Sequence, residues 1–188
     1  MKIIAEYKPC LRAFPKQLFS MVMTQAKKQM KRVCSTADQR KELLKNFKCI
    51  TKDNFRQGAQ VGHYITSLVS YLVNISDVDM IIPSLCCGYH LVMTESKVLL
   101  DRLCTKEGMG PDASDYILGI LRASVSDALD MMCSGYDTPE QCDKKSPGLI
   151  SGLKSVLKRT KNIRYDHTAL VPILKVIERI DTETNLKN

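Results

Sequence analysis

The sequence predicts an all-α protein, a bundle of about six or seven helices held together by disulfides. Apolar residues recur at spacings of three and four along most of the chain, and no segment alternates convincingly with a period of two. The chain also has eight cysteines and no C-x-x-C pair. We therefore expect a single disulfide-rich helical domain over residues 1–180, followed by a polar tail over residues 181–188.

Proline and capping residues mark the first helices. Phe14-Pro15 opens a helix that continues to near Cys34, and the capping-box pattern Thr36-Ala37-Asp38-Gln39 begins a second helix. The third and most apolar helix covers residues 55–75. We expect the second helix to bury Leu43, Leu44, Phe47 and Ile50, and the third to bury Val61, Tyr64, Ile65, Leu68, Val69 and Leu72.

Glycines and prolines also separate the later helices. Pro83 begins a fourth helix that ends at Gly108, and Gly110-Pro111 begins a fifth, which ends at Gly135. Thr138 begins a short helical turn that holds Cys142. Two further helices are expected over residues 149–158 and 168–180.

An even cysteine count without metal-type spacing indicates four disulfides and a compartment outside the cytosol, so we expect a secreted, extracellular chain whose signal peptide has been removed. If the fourth and fifth helices are antiparallel about Gly108, then Cys86 or Cys87 reaches Cys133. Adjacent cysteines rarely bridge each other, so the doublet should tie its helix to two separate segments; the other pairings stay open. The predicted disulfide residues are Cys10, Cys34, Cys49, Cys86, Cys87, Cys104, Cys133 and Cys142.

Several cysteine-containing motifs resemble those of a group of secreted helical proteins of arthropods. They are Leu43-Leu44-Lys45-Asn46-Phe47-Lys48-Cys49, Ile82-Pro83-Ser84-Leu85-Cys86-Cys87, Leu103-Cys104 and Met132-Cys133-Ser134-Gly135-Tyr136, with a cysteine before the first helix and a final Cys142. The likeness covers about residues 8–145. Because members of this group are mostly uncharacterised, the resemblance implies secretion and paired cysteines but no defined activity.

We expect no catalytic activity, no cofactor and no metal. Cys86-Cys87-Gly88-Tyr89-His90 is similar to the C-C-x-x-H of secreted phospholipases A2, but Leu91 follows the histidine where that family has aspartate. The sequence before Cys86 also lacks the glycine-rich loop that holds calcium in that family. The chain therefore has neither the carboxylate nor the cation that would stabilise an oxyanion there. The chain contains no G-x-S-x-G and no H-E-x-x-H motif.

Charge is segregated along the chain. Residues 12–49 hold ten lysines and arginines against two acids, residues 50–143 hold six against thirteen, and residues 144–165 hold seven against none. The two basic blocks can attract anionic partners. We expect such a partner to be an acidic protein, a polysaccharide or a membrane surface, and we do not expect nucleic acid. The candidate anion-binding residues are Lys27, Lys28, Lys31, Arg32, Lys154, Lys158, Arg159 and Lys161.

Two binding functions fit these features. The slightly favoured one is a carrier of a small apolar ligand or lipid, because the uncharged stretch over residues 57–76 and nine methionines suit a helix-lined cavity. The alternative is a rigid basic component of a secretion such as saliva, venom, silk or body fluid. The candidate lining residues are Val61, Tyr64, Ile65, Leu68 and Leu72, and Asn74-Ile75-Ser76 is a candidate glycosylation sequence.

Overall fold

The computed structural model describes residues 13–136, 138–159 and 176, and within these ranges the regular structure is helical. The helices are α1 (Ala13–Cys34), α2 (Ala37–Asn46), α3 (Phe55–Gly58), α4 (Gln60–Asn74), α5 (Ile81–Lys106), α6 (Pro111–Ala123), α7 (Ser126–Met132), α8 (Pro139–Lys145) and α9 (Leu149–Arg159). Short 3-10 turns cover Phe47–Cys49 and Val78–Met80. The all-α prediction is confirmed. The predicted helix over residues 168–180 and the polar tail lie outside the described residues, apart from a helical, buried Val176.

Local capping explains where several helices begin and end. The capping box predicted at Thr36 forms, with Thr36 accepting from the Gln39 backbone N–H, and a second capping box forms at Thr138, which accepts from the Gln141 backbone N–H. Each hydroxyl supplies a partner to a helix N-terminal N–H that has no carbonyl within its own helix. At the far end of α5, Gly108 has a φ of +73°, which glycine adopts without the steric cost that other residues meet.

The long helix α5 is central to the bundle, and it packs against α4, α6, α8 and α9. Its N-terminal half joins one buried apolar cluster with α4 and α9, in which Leu72, Ile81 and Leu153 are almost fully buried. Its C-terminal half joins a second cluster with α6, formed around Leu100 and Ile117. The same helix therefore contributes to both apolar clusters.

All three disulfides among the described residues join α5 to another segment of the chain. Cys49 pairs with Cys104, Cys86 pairs with Cys133, and Cys87 pairs with Cys142. The prediction that one member of the doublet reaches Cys133 is confirmed, as is the prediction that the doublet ties one helix to two separate segments. Within the described ranges Cys34 is unbridged and half-buried. Cys10 lies outside them.

Two of the predicted helices are divided, so the bundle has more and shorter helices than expected. A turn at Ala59 separates α3 from α4, next to Gly58, because glycine is a weak helix former. A second break lies at Ser124 and Val125, where the Ser124 hydroxyl donates to the Ile120 carbonyl at 2.8 Å and the φ of Val125 is −129°. Side-chain bonds of this kind compete with the helical backbone pattern.

Three residues predicted to be buried are exposed instead. Leu44 is 67% exposed on α2, Phe47 is 38% exposed just after it, and Ile65 is 37% exposed on α4. Leu44 belongs to α2, none of whose residues is covered enough to be buried. Phe47 follows the end of α2 at Asn46, where the chain turns into a 3-10 helix, so that the apolar residues at positions 43–50 do not form one continuous face. Ile65 lies at the edge of the buried face of α4, on which Leu68, Val69 and Leu72 are covered.

Candidate functional site

The residues predicted to line a ligand cavity are divided between the two apolar clusters. Leu68 and Leu72 are buried in the first cluster, Tyr64 packs against the same cluster, and Val61 packs against the second. Leu68 lies directly against Gly88 of α5, where the missing side chain lets the two helices approach closely. The structure therefore places these residues in the α4–α5 contact, with Ile65 on the outside.

The first two helices carry a dense set of exposed cations. Lys27, Lys28, Lys31 and Arg32, all predicted for anion binding, are exposed on α1. Lys27 and Lys31 are one helical turn apart, and so are Lys28 and Arg32, so their side chains form two neighbouring rows. The inner face of α1 is formed by residues such as Gln29 and Val33, which are buried.

The α1–α2 hairpin brings further cations to the end of α1. The Arg40 guanidinium donates to the Cys34 carbonyl at 2.7 Å, which satisfies a carbonyl at the C-terminus of that helix. Lys41 and Lys45 are exposed on α2. We name the seven residues the basic hairpin surface: Lys27, Lys28, Lys31, Arg32, Arg40, Lys41 and Lys45.

The α2 contribution was missed in the choice of candidate residues, although the excess of positive charge over residues 12–49 already signalled it. Among the described residues, none of the seven cations forms an ion pair, since the ion pairs there join Lys97 to Asp101 and Asp115. Arg40 is engaged by the Cys34 carbonyl, but exposed cations without an ion-pair partner remain available to an external anion.

Acidic and titratable groups also border this surface. Burial raises the pKa of Tyr116 on α6, and the nearby Glu42 carboxylate and Cys34 raise it further, whereas Arg32 lowers it. Gln25 of α1 donates to Asp127 of α7. The hairpin is therefore attached to α6 and α7, and Arg32 and Glu42 lie near Tyr116 of α6 at this contact.

The second group of predicted cations lies elsewhere in the bundle. Lys154 is exposed on α9, and Lys158 and Arg159 belong to the last turn of that helix, whereas Lys161 lies outside the described residues. Helix α9 packs against α4, α5 and α8, but α1 packs against α2, α6 and α7. The two basic segments thus have different neighbours, and the hairpin is the larger continuous set of described cations.

A cluster of polar side chains links α5 to α6. Lys97 Nζ lies 2.7 Å from Asp101 Oδ1, 2.9 Å from Ser114 Oγ and 2.9 Å from Asp115 Oδ1. Some hydrolases activate a serine with a neighbouring lysine, which must lose its proton to act as a base. Here the hydrogen bond to Asp101 raises the pKa of Lys97, which favours the charged lysine that cannot act as a base, and Ser114 is fully buried. The cluster is therefore suited to linking α5 to α6 rather than to catalysis.

The segment similar to phospholipases A2 is also packed into the bundle. Cys86 and Cys87 are both buried in disulfides, Leu91 is buried, and His90 is half-buried with its ring 5.8 Å from that of Tyr89. Among the residues that the structure describes, no group of three or more histidines, cysteines and carboxylates is placed to hold a metal. None of the described helices is long and apolar enough to span a bilayer.

Asn74 of the candidate glycosylation sequence is the last residue of α4, and both Asn74 and Ser76 are exposed. Its amide donates to the Ser70 carbonyl at 2.7 Å, and Ile75 is extended. Glycosylation at this position stays a prediction.

Comparison with protein-family models, with curated proteins and with solved structures finds no match. The resemblance to secreted arthropod proteins therefore stays a prediction.

Proposed function

We propose that this chain is a secreted, non-enzymatic binding protein that uses the basic hairpin surface to bind an extracellular polyanion, such as a sulfated polysaccharide. The observation that carries the proposal is the placement of seven exposed cations on two adjacent helices, with no ion pair among the described residues to neutralise them. Repeated charges on a rigid helical surface suit a partner that carries repeated anions.

The disulfides support the extracellular part of the proposal. Three buried bridges connect α5 to segments before and after it, and structural bridges of this kind persist in oxidising compartments. The covalent connection also reaches the hairpin, because Cys49, which follows α2, is bridged to Cys104 of α5.

The carrier hypothesis has less support than the sequence suggested. A carrier needs its lining residues around an open apolar space, but Leu68 packs against Gly88 and Leu72 is almost fully buried. Binding of an apolar fluorescent probe, with retention of a co-purified lipid, would favour the carrier over the polyanion-binding protein.

The test is heparin affinity in a matched pair of charge-reversal variants. K27E/K31E changes two cations of the hairpin surface, and K52E/K106E changes two exposed lysines outside it, with the same change in net charge. At about 0.15 M salt, we expect the hairpin variant to lose roughly tenfold or more in affinity, on the basis of about 0.5–1 kcal/mol for each exposed charge contact. The other variant should lose much less.

Equal losses in the two variants would show that only net charge matters and would contradict the hairpin site. Absence of heparin binding by the unaltered chain at the same salt concentration would contradict the proposal itself. Circular dichroism of each variant checks that the helices are intact.

A further inference from the structure

Two large apolar side chains are exposed where α2 ends. Leu44 is 67% exposed, and Phe47, three residues later in the 3-10 turn, is 38% exposed. Side chains at this spacing are neighbours on a helical surface, so we name Leu44 and Phe47 the apolar pair. Single exposed apolar residues are common on proteins, and the significance of this pair therefore depends on what surrounds it.

The surroundings of the apolar pair are positively charged. Arg40 and Lys41 precede Leu44 by four and three positions, so they are its neighbours on the surface of α2. Lys45 comes directly after Leu44, and Lys48 comes directly after the apolar pair. All four cations are exposed. The pair is therefore interleaved with positive charge.

The two acids of α2 do not interrupt this group of cations. Asp38 belongs to the first turn of α2, at the opposite end from the apolar pair. Glu42 lies near Tyr116, at the contact between α2 and α6. The end of α2 thus combines apolar side chains with an excess of cations.

The backbone around the apolar pair is held in place. Cys49, two residues after Phe47, is fully buried and bridged to Cys104 of α5. The Phe47 N–H donates to the Leu43 carbonyl, and the Phe47 carbonyl accepts from the Ile50 N–H at 3.0 Å. A surface that is already positioned loses less conformational entropy when it binds a partner.

Charge and apolarity together select the partner. A second copy of this surface would bring like charges together, which opposes association. A sulfated polysaccharide complements the cations but offers no hydrocarbon region to leucine and phenylalanine. A protein interface typically covers about 800 Å² on each partner around a core depleted of charged residues, whereas here the cations surround only two apolar side chains. An anionic bilayer offers both negative charge and a hydrocarbon region.

We propose that the end of α2 binds the surface of an anionic phospholipid bilayer. The four cations contact the headgroups, and Leu44 and Phe47 enter the boundary between the headgroups and the acyl chains. Apolar side chains combined with lysine and arginine are typical of segments that lie in this boundary, where both kinds of contact contribute to binding. The inference rests on the basic hairpin surface of the proposed function and adds a lipid partner to it.

Val98 of α5 provides a matched control for the apolar pair. It is 64% exposed, close to the exposure of Leu44. Glu95 and Asp101 lie three positions before and after it, and its neighbour Lys97 is ion-paired to Asp101. An anionic surface would gain little from contact with this mixture of charges.

The first experiment uses fluorescence, because the chain has no tryptophan of its own. Leu44→Trp and Val98→Trp each introduce a single tryptophan. With vesicles of equal parts phosphatidylcholine and phosphatidylglycerol, at about 0.15 M salt, we expect the emission of Leu44→Trp to shift to shorter wavelength. Lipids brominated on the acyl chains should quench this emission. Val98→Trp should show neither effect, and pure phosphatidylcholine should produce neither effect in either variant.

The second experiment measures vesicle co-sedimentation and heparin affinity for Leu44→Gln and Val98→Gln. We expect Leu44→Gln to lose roughly tenfold in vesicle binding, because part of a leucine side chain no longer enters the bilayer. Val98→Gln should lose little. The heparin affinity of both variants should remain that of the unaltered chain, since no cation is removed. Circular dichroism checks that all four variants are helical.

The contrary results are specific. No binding to the anionic vesicles, or equal binding to pure phosphatidylcholine, would overturn the proposal. Equal losses in Leu44→Gln and Val98→Gln would also overturn it, as would vesicle binding in which the Leu44→Trp emission is not quenched. Heparin binding without vesicle binding would contradict this inference alone, whereas vesicle binding without heparin binding would contradict the proposed polysaccharide partner alone.

Discussion

Gly88 is the residue on which the contact between α4 and α5 depends. A Cβ at this position would overlap the buried Leu68 side chain, whose Cδ2 would lie 3.0 Å away. Because Leu68 is enclosed in the first apolar cluster, it has little room to move aside. Only a residue without a side chain allows the two helices to pack at this distance.

We expect Gly88→Ala to lower the free energy of unfolding by about 1–3 kcal/mol, because the added methyl group overpacks the core. Gly119→Ala is the matched control, since a Cβ there meets nothing within 4 Å in the middle of α6. The control should be neutral or stabilising by up to about 1 kcal/mol. Urea denaturation with the disulfides intact measures both. Equal destabilisation of the two variants would contradict the packing argument.

Between elements, the link from α5 to α6 depends on a polar cluster as well as on apolar packing. Burial acts to raise the pKa of Asp101, but hydrogen bonds from Lys97 and Ser114 outweigh it, so that the net pKa lies below the ordinary value of 3.8. The pKa of Lys97 lies above its ordinary value of 10.5, chiefly because of its hydrogen bond to Asp101. Each partner therefore favours the charged form of the other.

These shifts predict a pH dependence of stability. The Asp101 contribution is present above its ordinary pKa of 3.8 and is lost as the pH falls through the lower pKa of the folded state. The Lys97 contribution is present below 10.5 and is lost as the pH rises through the higher pKa of the folded state. The link therefore contributes fully between roughly pH 4 and pH 10.5.

We expect Asp101→Asn to lower the unfolding free energy at pH 7 by up to about 1 kcal/mol, since both partners are partly exposed. The difference from the unaltered chain should shrink as the pH falls below 3.8. Asp53→Asn, which removes an exposed carboxylate outside the described ion pairs, should show a smaller difference with little pH dependence. Thermal denaturation at a series of pH values measures the stability difference between each variant and the unaltered chain. A difference for Asp101→Asn that stays constant down to pH 2 would be the contrary result.

On the scale of the whole molecule, α5 is the helix through which the bundle is covalently connected. Cys86, Cys87 and Cys104 all belong to it, and their partners lie before α3, after α7 and within α8. The three bridges span sequence separations of 55, 47 and 55 residues. In the chain-entropy account, bridges that close loops of such similar length restrict the unfolded chain to a similar degree.

Paired replacement of Cys87 and Cys142 by alanine should therefore lower the unfolding free energy by about 2–4 kcal/mol. Paired replacement of Cys49 and Cys104 should have a similar effect, because the two loops have the same length. Denaturant titration in a C10S/C34S background, which removes the two remaining cysteines, measures both paired variants. A large gap between the two paired variants would mean that local packing, rather than loop closure, sets the contribution of each bridge.

Part of the molecule could be predicted from the sequence because its signals are local. The capping box at Thr36, the start of a short helix at Thr138 and the end of α5 near Gly108 each depend on a few neighbouring residues, and all three appear as predicted. The pairing of Cys86 with Cys133 was within reach of the sequence, because antiparallel helices around a short turn have a limited set of opposing positions.

The candidate site could be predicted only in part. The cations of α1 were identified from the charge distribution, but the contribution of Arg40, Lys41 and Lys45 depends on how α2 folds back on α1. The exposure of Leu44 and Ile65 also depends on which helices cover them, and a one-dimensional pattern of apolar residues does not contain that information. Breaks at Ala59 and Val125 reflect small backbone preferences that a helical periodicity does not reveal.

By itself, the sequence determined the helical class, the approximate positions of the described helices and the segregation of charge, because each follows from residue types close together in the chain. Only the tertiary structure decided the remaining cysteine pairings, the packing of Leu68 against Gly88 and the separate neighbours of the two basic segments. These features join residues that are distant in the chain, and helix packing brings them together.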